Sequence, residues 1–323
     1  MKKVSVIIPT YKRSDNLLRA INSVLSQTYK NIEIIVVDDN DSDSIYRTEN
    51  IKKLNKYVEN DKIIYLKHKE NKNGAAARNT GLKKATGDYI TFLDDDDYFI
   101  NTRIEKLVNL LEENPQYSCA YSSVAMSKLN KIIAIILANK KDNLRLDVLK
   151  QKSFFGTGSN MFFKREVVEK IGLFDEKFIR HQDMEYMVRF FEYGIVVPCK
   201  EVLVVKCIDD KSNIPDFSKM MYTKKMFLEK FNNIISQYDN NVINDIFYCN
   251  YFELLELYPD KRDELVKIIE KYNKISLGAR IKLLLRGIKN NNKFFMNLIR
   301  LFKTIKYRKF QYLVLKEDKN NSK

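Results

Sequence analysis

The chain has 323 residues, 45% of them hydrophobic, enough for one large domain or for one domain with an appendage. Its formal net charge is +15, and its four cysteines (Cys119, Cys199, Cys207, Cys249) include no CxxC pair and no histidine at ligand spacing. That argues against a disulfide framework or a zinc site and for reduced thiols in a cytosolic compartment. The start, MKKVSVIIPTYKR, is basic and then apolar, but its apolar stretch from Val4 to Ile8 ends at Pro9, too short for a signal peptide. The longest apolar run elsewhere, Ile132 to Ala138, is too short to cross a bilayer, so no membrane-spanning segment is expected.

In chain order, Val4 to Ile8 is a β-branched run of the kind that forms a fully buried strand. Ser14 is placed to cap a helix in which Leu17, Leu18, Ile21, Val24 and Leu25 recur at helical spacing. Ile32 to Val37 is a second buried strand, followed by a helix near Ser44 to Tyr57 and a strand at Ile63 to Leu66. Gly74 to Ala85 is a third helix, and Tyr89 to Leu93 a strand that runs into Asp94, Asp95, Asp96 and Asp97. Further on come a helix at Arg103 to Glu112, strands near Ser118 to Ala125 and Lys131 to Leu137, a glycine loop, and a strand at Asn160 to Phe163. A helix follows that strand, then a helix at Gln182 to Tyr193 and a strand pair near Ile195 to Val205. After about Asp210 the pattern is helical, with a boundary expected at Ser212 to Pro215.

Strand–helix alternation of this kind predicts βαβ units and a parallel, doubly wound sheet, whose ligands lie outside the carboxyl ends of the strands. The polar clusters fall at those ends: Pro9 to Arg13, Asp38 and Asp39, and Asp94 to Asp97. Neither GxGxxG nor GxxxxGK[ST] is present, so a nucleotide site would have to use side chains and a metal. Four adjacent carboxylates repel one another, a cost that a bound divalent cation relieves. Mg²⁺ and Mn²⁺ prefer carboxylate, phosphate and water oxygens, which suits an aspartate cluster. On an extended strand Asp94 and Asp96 would share one face, Asp95 and Asp97 the other.

Five segments, VSVIIPTYKR, EIIVVDDN, NGAAARNTGL, GDYITFLDDDD and FDEKFIRHQDMEYMVR, occur in this order. Together they resemble the family 2 glycosyltransferases, inverting enzymes of the GT-A fold, over roughly the first two thirds of the chain. The resemblance implies an α/β, GT-A (Rossmann-like), mostly parallel sheet flanked by helices in residues 1–212, with a helical, basic region in 213–323. It implies transfer of a sugar from a nucleotide-diphosphate donor, a UDP-sugar by preference, to an acceptor hydroxyl, assisted by Mn²⁺ or Mg²⁺. It implies metal ligation by Asp96 with Asp94, nucleotide-sugar contacts from Pro9, Thr10, Tyr11, Arg13, Asp39, Arg78, Asp94 and Asp95, and a catalytic base at Asp183. The register among Asp94 to Asp97 stays open at this point, and so does a purely structural role for Arg78. His181, Asn160 and Asp209 are candidate acceptor or diphosphate contacts; His68 has no assigned role.

The family's usual acidic pair is here Gln182-Asp183, and Asp209 stands nearest to where many members carry a histidine. No tryptophan and no membrane helix accompany the chain, unlike processive relatives, so it is expected to add one sugar or a few. From Lys271 to Lys316 there are thirteen basic residues and no acidic one, leaving the first 270 residues close to balanced. Apolar residues at helical spacing among them (Ile281, Leu284, Leu285, Ile288) fit an interfacial helix on an anionic membrane, or a surface against a second subunit. The expected acceptor is a lipid-linked or cell-surface glycan precursor, and the expected location is cytoplasmic, at the inner face of the cell membrane. No nucleic-acid module is recognisable. A non-catalytic sugar-nucleotide or glycan-binding scaffold is the competing reading.

Overall fold

The computed structural model describes residues 1–208 and 215–272. Contacts divide them into one unit of residues 1–144 and 154–208 and another of residues 145–153 and 215–272. Asp209 and the basic segment 273–323, with the roles expected for them, lie outside the described residues.

The first unit is built on one sheet. Its strands are β1 (Val4–Thr10), β2 (Ile32–Asp38), β3 (Ile64–Lys67), β4 (Tyr89–Phe92), β5 (Tyr98–Phe99), β6 (Cys119–Lys128), β7 (Lys131–Ile136), β8 (Phe162–Lys164) and β9 (Val196–Cys207). The helices are α1 (Ser14–Leu25), α2 (Ile45–Glu59), α3 (Gly74–Lys84), α4 (Arg103–Glu113), α6 (Arg165–Ile171) and α7 (Gln182–Tyr193), while α5 (Arg145–Leu149) belongs to the second unit. The sheet order is β3-β2-β1-β4-β8-β6-β9-β5, with β7 on β6. From β3 to β4 all pairings are parallel, as the strand–helix alternation predicts. Beyond β4 the sheet is mixed: β8 runs antiparallel to β4 and β6, β9 parallel to β6, and β5 antiparallel to β9.

Both faces of the parallel half are covered, which is why β1 is apolar on successive residues rather than alternate ones. Val4, Val6 and Ile8 join Leu17, Ile21 and Val24 of α1 and Leu107 and Leu111 of α4 in one buried cluster. Ile7 faces the other way, against α3. A Cβ on Gly81 would lie 2.4 Å from Ile7 Cγ2, so the helix sits directly on the strand. On β8, Phe162 enters the first cluster while its neighbour Phe163 packs edge-on against Tyr186 and Phe190 of α7. Each such apolar side chain contributes about 1.5–3 kcal/mol.

The expected strand pair after residue 195 is instead the single strand β9. Lys200 and Glu201 are accommodated as an irregularity: Ser122 pairs with Cys199 and Ser123 with Val202.

In the second unit, α5 groups with α8 (Phe217–Lys230), α9 (Asn232–Ile235), α10 (Asn240–Leu257) and α11 (Arg262–Ile269). Asn250 donates to the Leu149 and Ile246 carbonyls at 2.8 Å each, tying α5 to α10. Lys224, 1% exposed, is ion-paired with Glu253 and donates to Gln151 Oε1 at 2.8 Å. Among the described residues no helix is long and apolar enough to cross a membrane.

Candidate active site

Parallel register brings Thr10 at the end of β1 beside Asp38 at the end of β2. Asp38 is wholly buried and fully engaged. It accepts from the Asn40 N–H at 2.9 Å, from Asn50 Nδ2 at 2.9 Å and from the Tyr65 hydroxyl at 2.5 Å, and Arg47 Nε lies 3.2 Å away. Asp39, 2% exposed, accepts from Asn71 Nδ2 at 2.8 Å and from the Lys72 and Asn73 N–H groups at 3.0 Å each. His68 Nδ1 is 2.6 Å from Asp39 Oδ1, and its Nε2 is 2.8 Å from Thr80 Oγ1. His68 thus links Asp39 to α3, a role that its sequence surroundings did not suggest. Asp39 organises the loop whose last residue, Asn73, caps α3 by accepting from Ala75 and Ala76.

The four aspartates after β4 form a turn, not an extended strand, closed by Asp97 N–H to the Asp94 carbonyl at 3.0 Å. Two-fold alternation therefore fails, and Asp94, Asp96 and Asp97 bring one carboxylate oxygen each within 4.8 Å of one another. Oxygen donors converging at this separation fit a hard divalent cation. Asp95 points away: it accepts from Thr10 Oγ1 at 2.6 Å and from the Tyr11 N–H at 3.3 Å. Burial pushes its carboxyl up to about 7, although Thr10 and Arg13 pull it down. Asp97 is 2% exposed. It accepts from Thr157 Oγ1 at 3.0 Å, Ser159 Oγ at 2.7 Å and the Cys207 N–H at 3.1 Å, and burial raises its carboxyl to about 6.

Basic side chains surround this turn. Arg13 is ion-paired with Asp96, and Arg19 Nη2 donates to the Asp96 carbonyl at 2.7 Å. Arg78 reaches two elements at once, Nη2 to Asp94 Oδ1 at 2.6 Å and Nη1 to Gln182 Oε1 at 2.8 Å. It is therefore more than a helix surface residue: it connects the acidic turn to the first residue of α7. Asp183 follows on that helix, half-buried, its Oδ1 accepting from the Met184 N–H at 2.9 Å. Burial raises the Asp183 carboxyl, while Arg78 and Lys206 oppose the rise. Its Oδ2 lies toward Gly158, 3.9 Å from where a Cβ there would stand. His181 precedes the helix in the left-handed region (φ 58°), a conformation in which histidine is enriched.

Thr10 and Tyr11 meet Asp95, Arg13 meets Asp96, and Arg78 meets Asp94 and Gln182, the residue before Asp183. Tyr11 is 38% exposed. Asn160, a candidate acceptor or diphosphate contact, is wholly buried, accepting from the Ser122 N–H at 3.0 Å and donating to the Ser122 and Phe155 carbonyls at 2.6 and 2.8 Å, so its side chain is engaged within the protein. Gln182, which stands beside Asp183 in the HQD segment, and Lys206, Thr157 and Ser159, which carried no motif, complete the surroundings. Of the last three, only Thr157, of a residue type that caps turns and placed before Gly158, had a recognisable signal.

The glycosyl transferase family 2 profile matches residues 5–172, just over half of the chain. An Escherichia coli protein, UDP-Glc:alpha-D-GlcNAc-diphosphoundecaprenol beta-1,3-glucosyltransferase WfaP, is 39% identical over 128 residues, 40% of this chain and 48% of that one. The chain spans less than two thirds of the length of the curated relatives it matches, from 15% to 64%. In three dimensions, S. aureus TarS in complex with UDP-GlcNAc superposes with TM-score 0.63 at 14% identity, over 84% of this chain and 80% of that one. The Pyrobaculum calidifontis mannosyltransferase PcManGT, in complex with GDP-Man and Mn²⁺, does so with TM-score 0.54 at 15% identity, over 99% and 87%. The shared fold is GT-A. With the profile match, the ordered motifs and this architecture, the chain belongs to glycosyl transferase family 2.

Proposed function

We propose that this protein is an inverting, non-processive glycosyltransferase that moves a sugar from a UDP-sugar to a hydroxyl of a lipid-linked or cell-surface glycan precursor. The observation that carries this reading is the meeting of the acidic turn with the start of α7, which Arg78 joins by bonding Asp94 and Gln182 together. Asp94, Asp96 and Asp97 would hold Mn²⁺ or Mg²⁺, which supplies Lewis-acid neutralisation of the leaving diphosphate. The exposed Tyr11 ring offers a face to the base, and Arg13 and Arg78 sit where a diphosphate would need counter-charge. Asp183 takes the proton from the acceptor hydroxyl as that oxygen bonds the anomeric carbon and the bond to the diphosphate breaks on the opposite face. A raised carboxyl pKa suits this task, because it makes Asp183 a stronger base.

The donor and acceptor classes draw support from WfaP, whose name specifies UDP-Glc and a diphosphoundecaprenol-linked sugar, and from TarS with UDP-GlcNAc. A lipid-linked acceptor agrees with a protein held at the inner membrane face by its basic end. The test is transfer from UDP-glucose or UDP-GlcNAc in the presence of Mn²⁺, by the wild type and by Asp183→Asn. The variant is expected to keep UDP binding and lose transfer. Binding of UDP with no turnover by the wild type on any tested acceptor would favour the scaffold reading instead.

A further inference from the structure

We propose that Ser159 is the positioning residue of the cation-binding turn: its hydroxyl fixes the separation of Asp94 and Asp97, and so the cage that receives a divalent cation. This rests on the reading of the turn as a cation site. Ser159 is wholly buried. Its Oγ accepts from the Asp94 N–H at 3.0 Å and donates to Asp97 Oδ2 at 2.7 Å. One hydroxyl thus grips both ends of the turn, in addition to the turn's own backbone bond.

Ser159 is itself held in place. Arg103 Nη2 donates to the Ser159 carbonyl at 3.3 Å and the Asn160 carbonyl at 2.8 Å, and Nη1 donates to Ser122 Oγ at 3.0 Å. Arg103 is 0% exposed, with its guanidinium over the Phe99 ring at 4.5 Å. Among the described ion pairs it has no carboxylate partner; its recorded donors go to the 159–160 segment and to Ser122. A buried cation that ties this short turn to Ser122 of β6 makes the turn a rigid support for the hydroxyl it carries. Outer partners of this kind orient metal ligands and matter nearly as much as the ligands themselves. Thr157 provides an internal control. It also donates to Asp97 Oδ2, at 3.0 Å, but makes no recorded bond to Asp94.

The experiment is Mn²⁺ titration of the full chain, read from the spin resonance of free Mn²⁺, on wild type, Ser159→Ala, Ser159→Cys and Thr157→Val, after melting curves establish that each is folded. Ser159→Ala is expected to weaken Mn²⁺ binding by about 10–100-fold, as loss of an outer-shell partner does. Thr157→Val is expected to weaken it clearly less. Ser159→Cys, close in shape with a weaker donor, should fall between wild type and alanine, and it carries the test if the alanine variant does not fold. Unchanged affinity in the Ser159 variants, or equal weakening in Ser159→Ala and Thr157→Val, would overturn the inference while leaving the turn as a cation site. No Mn²⁺ binding by the wild type would overturn both.

Discussion

Asp38–Asp39 and Asp94–Asp97 are both runs of aspartate at the ends of parallel strands, yet the protein treats them differently. Around Asp38 and Asp39 the chain itself supplies the donors: Arg47, Asn50 and Tyr65 for the first, Asn71, His68 and two backbone N–H groups for the second. Around Asp94–Asp97 three carboxylate oxygens converge within 4.8 Å, and burial raises the carboxyls of Asp95 and Asp97. Asp38 and Asp39 hold neighbouring elements together through the donors they accept from. Carboxylates crowded together favour whatever cation relieves them. A run of acids is therefore not itself a signal: both runs have protein donors, and only the second brings three carboxylate oxygens together.

The comparison can be broken at its strongest point by Asp183→Asn, which leaves both runs intact. Transfer should fall by about 10²–10⁴-fold, the range for losing a general acid or base, with UDP affinity preserved. A matching loss of UDP binding would place Asp183 in donor binding instead. Next in size, Asp96→Ala should abolish the Mn²⁺ requirement together with most activity, whereas full metal-dependent activity in that variant would contradict the ligand assignment. The same test on the other run has a different readout. Asp38→Asn leaves Arg47 buried without its counter-charge, which costs about 3–5 kcal/mol of folding stability, measured by denaturant unfolding. Unchanged stability would show that Asp38 is not the structural member of the pair.

The smallest effect concerns pH. Asp95 and Asp97 have folded values of about 7 and about 6 against an ordinary 3.8, so the folded state holds their protons more tightly than the unfolded chain. Their contribution to stability is therefore full below the ordinary value and is lost as pH rises through about 6 to 7. Cation-free melting temperatures should decline across that window, and Mn²⁺ binding should strengthen across it as cation displaces proton. A melting temperature that rises through the same window would contradict the burial of these two carboxyls.

Much of the fold was legible because β-branched runs such as Ile32–Val37 and helical spacing such as Leu17, Ile21 and Val24 are local signals. The site's edge was legible too, since parallel strands place their carboxyl ends together. What stayed hidden depends on distant partners. Asp97 is buried because Thr157, Ser159 and Cys207, 60 to 110 residues away, bring donors to it. Asn160, a candidate acceptor or diphosphate contact, is paired with Ser122 on β6, a partner that no local signal announces. The turn geometry of Asp94–Asp97 replaced the alternation expected of a strand because the Asp97 N–H closes onto the Asp94 carbonyl. The expected strand pair near Ile195 to Val205 is one strand because its irregularity is absorbed in the pairing with β6 rather than in a turn.

The stereochemistry of transfer reports on Asp183 directly. With UDP-glucose, Mn²⁺ and a GlcNAc-diphospho-lipid acceptor, the anomeric proton of the transferred sugar can be read by NMR. A single displacement with Asp183 as the one base predicts a β-linked product from the α-linked donor. An α-linked product would require a second displacement and would contradict the assignment of Asp183.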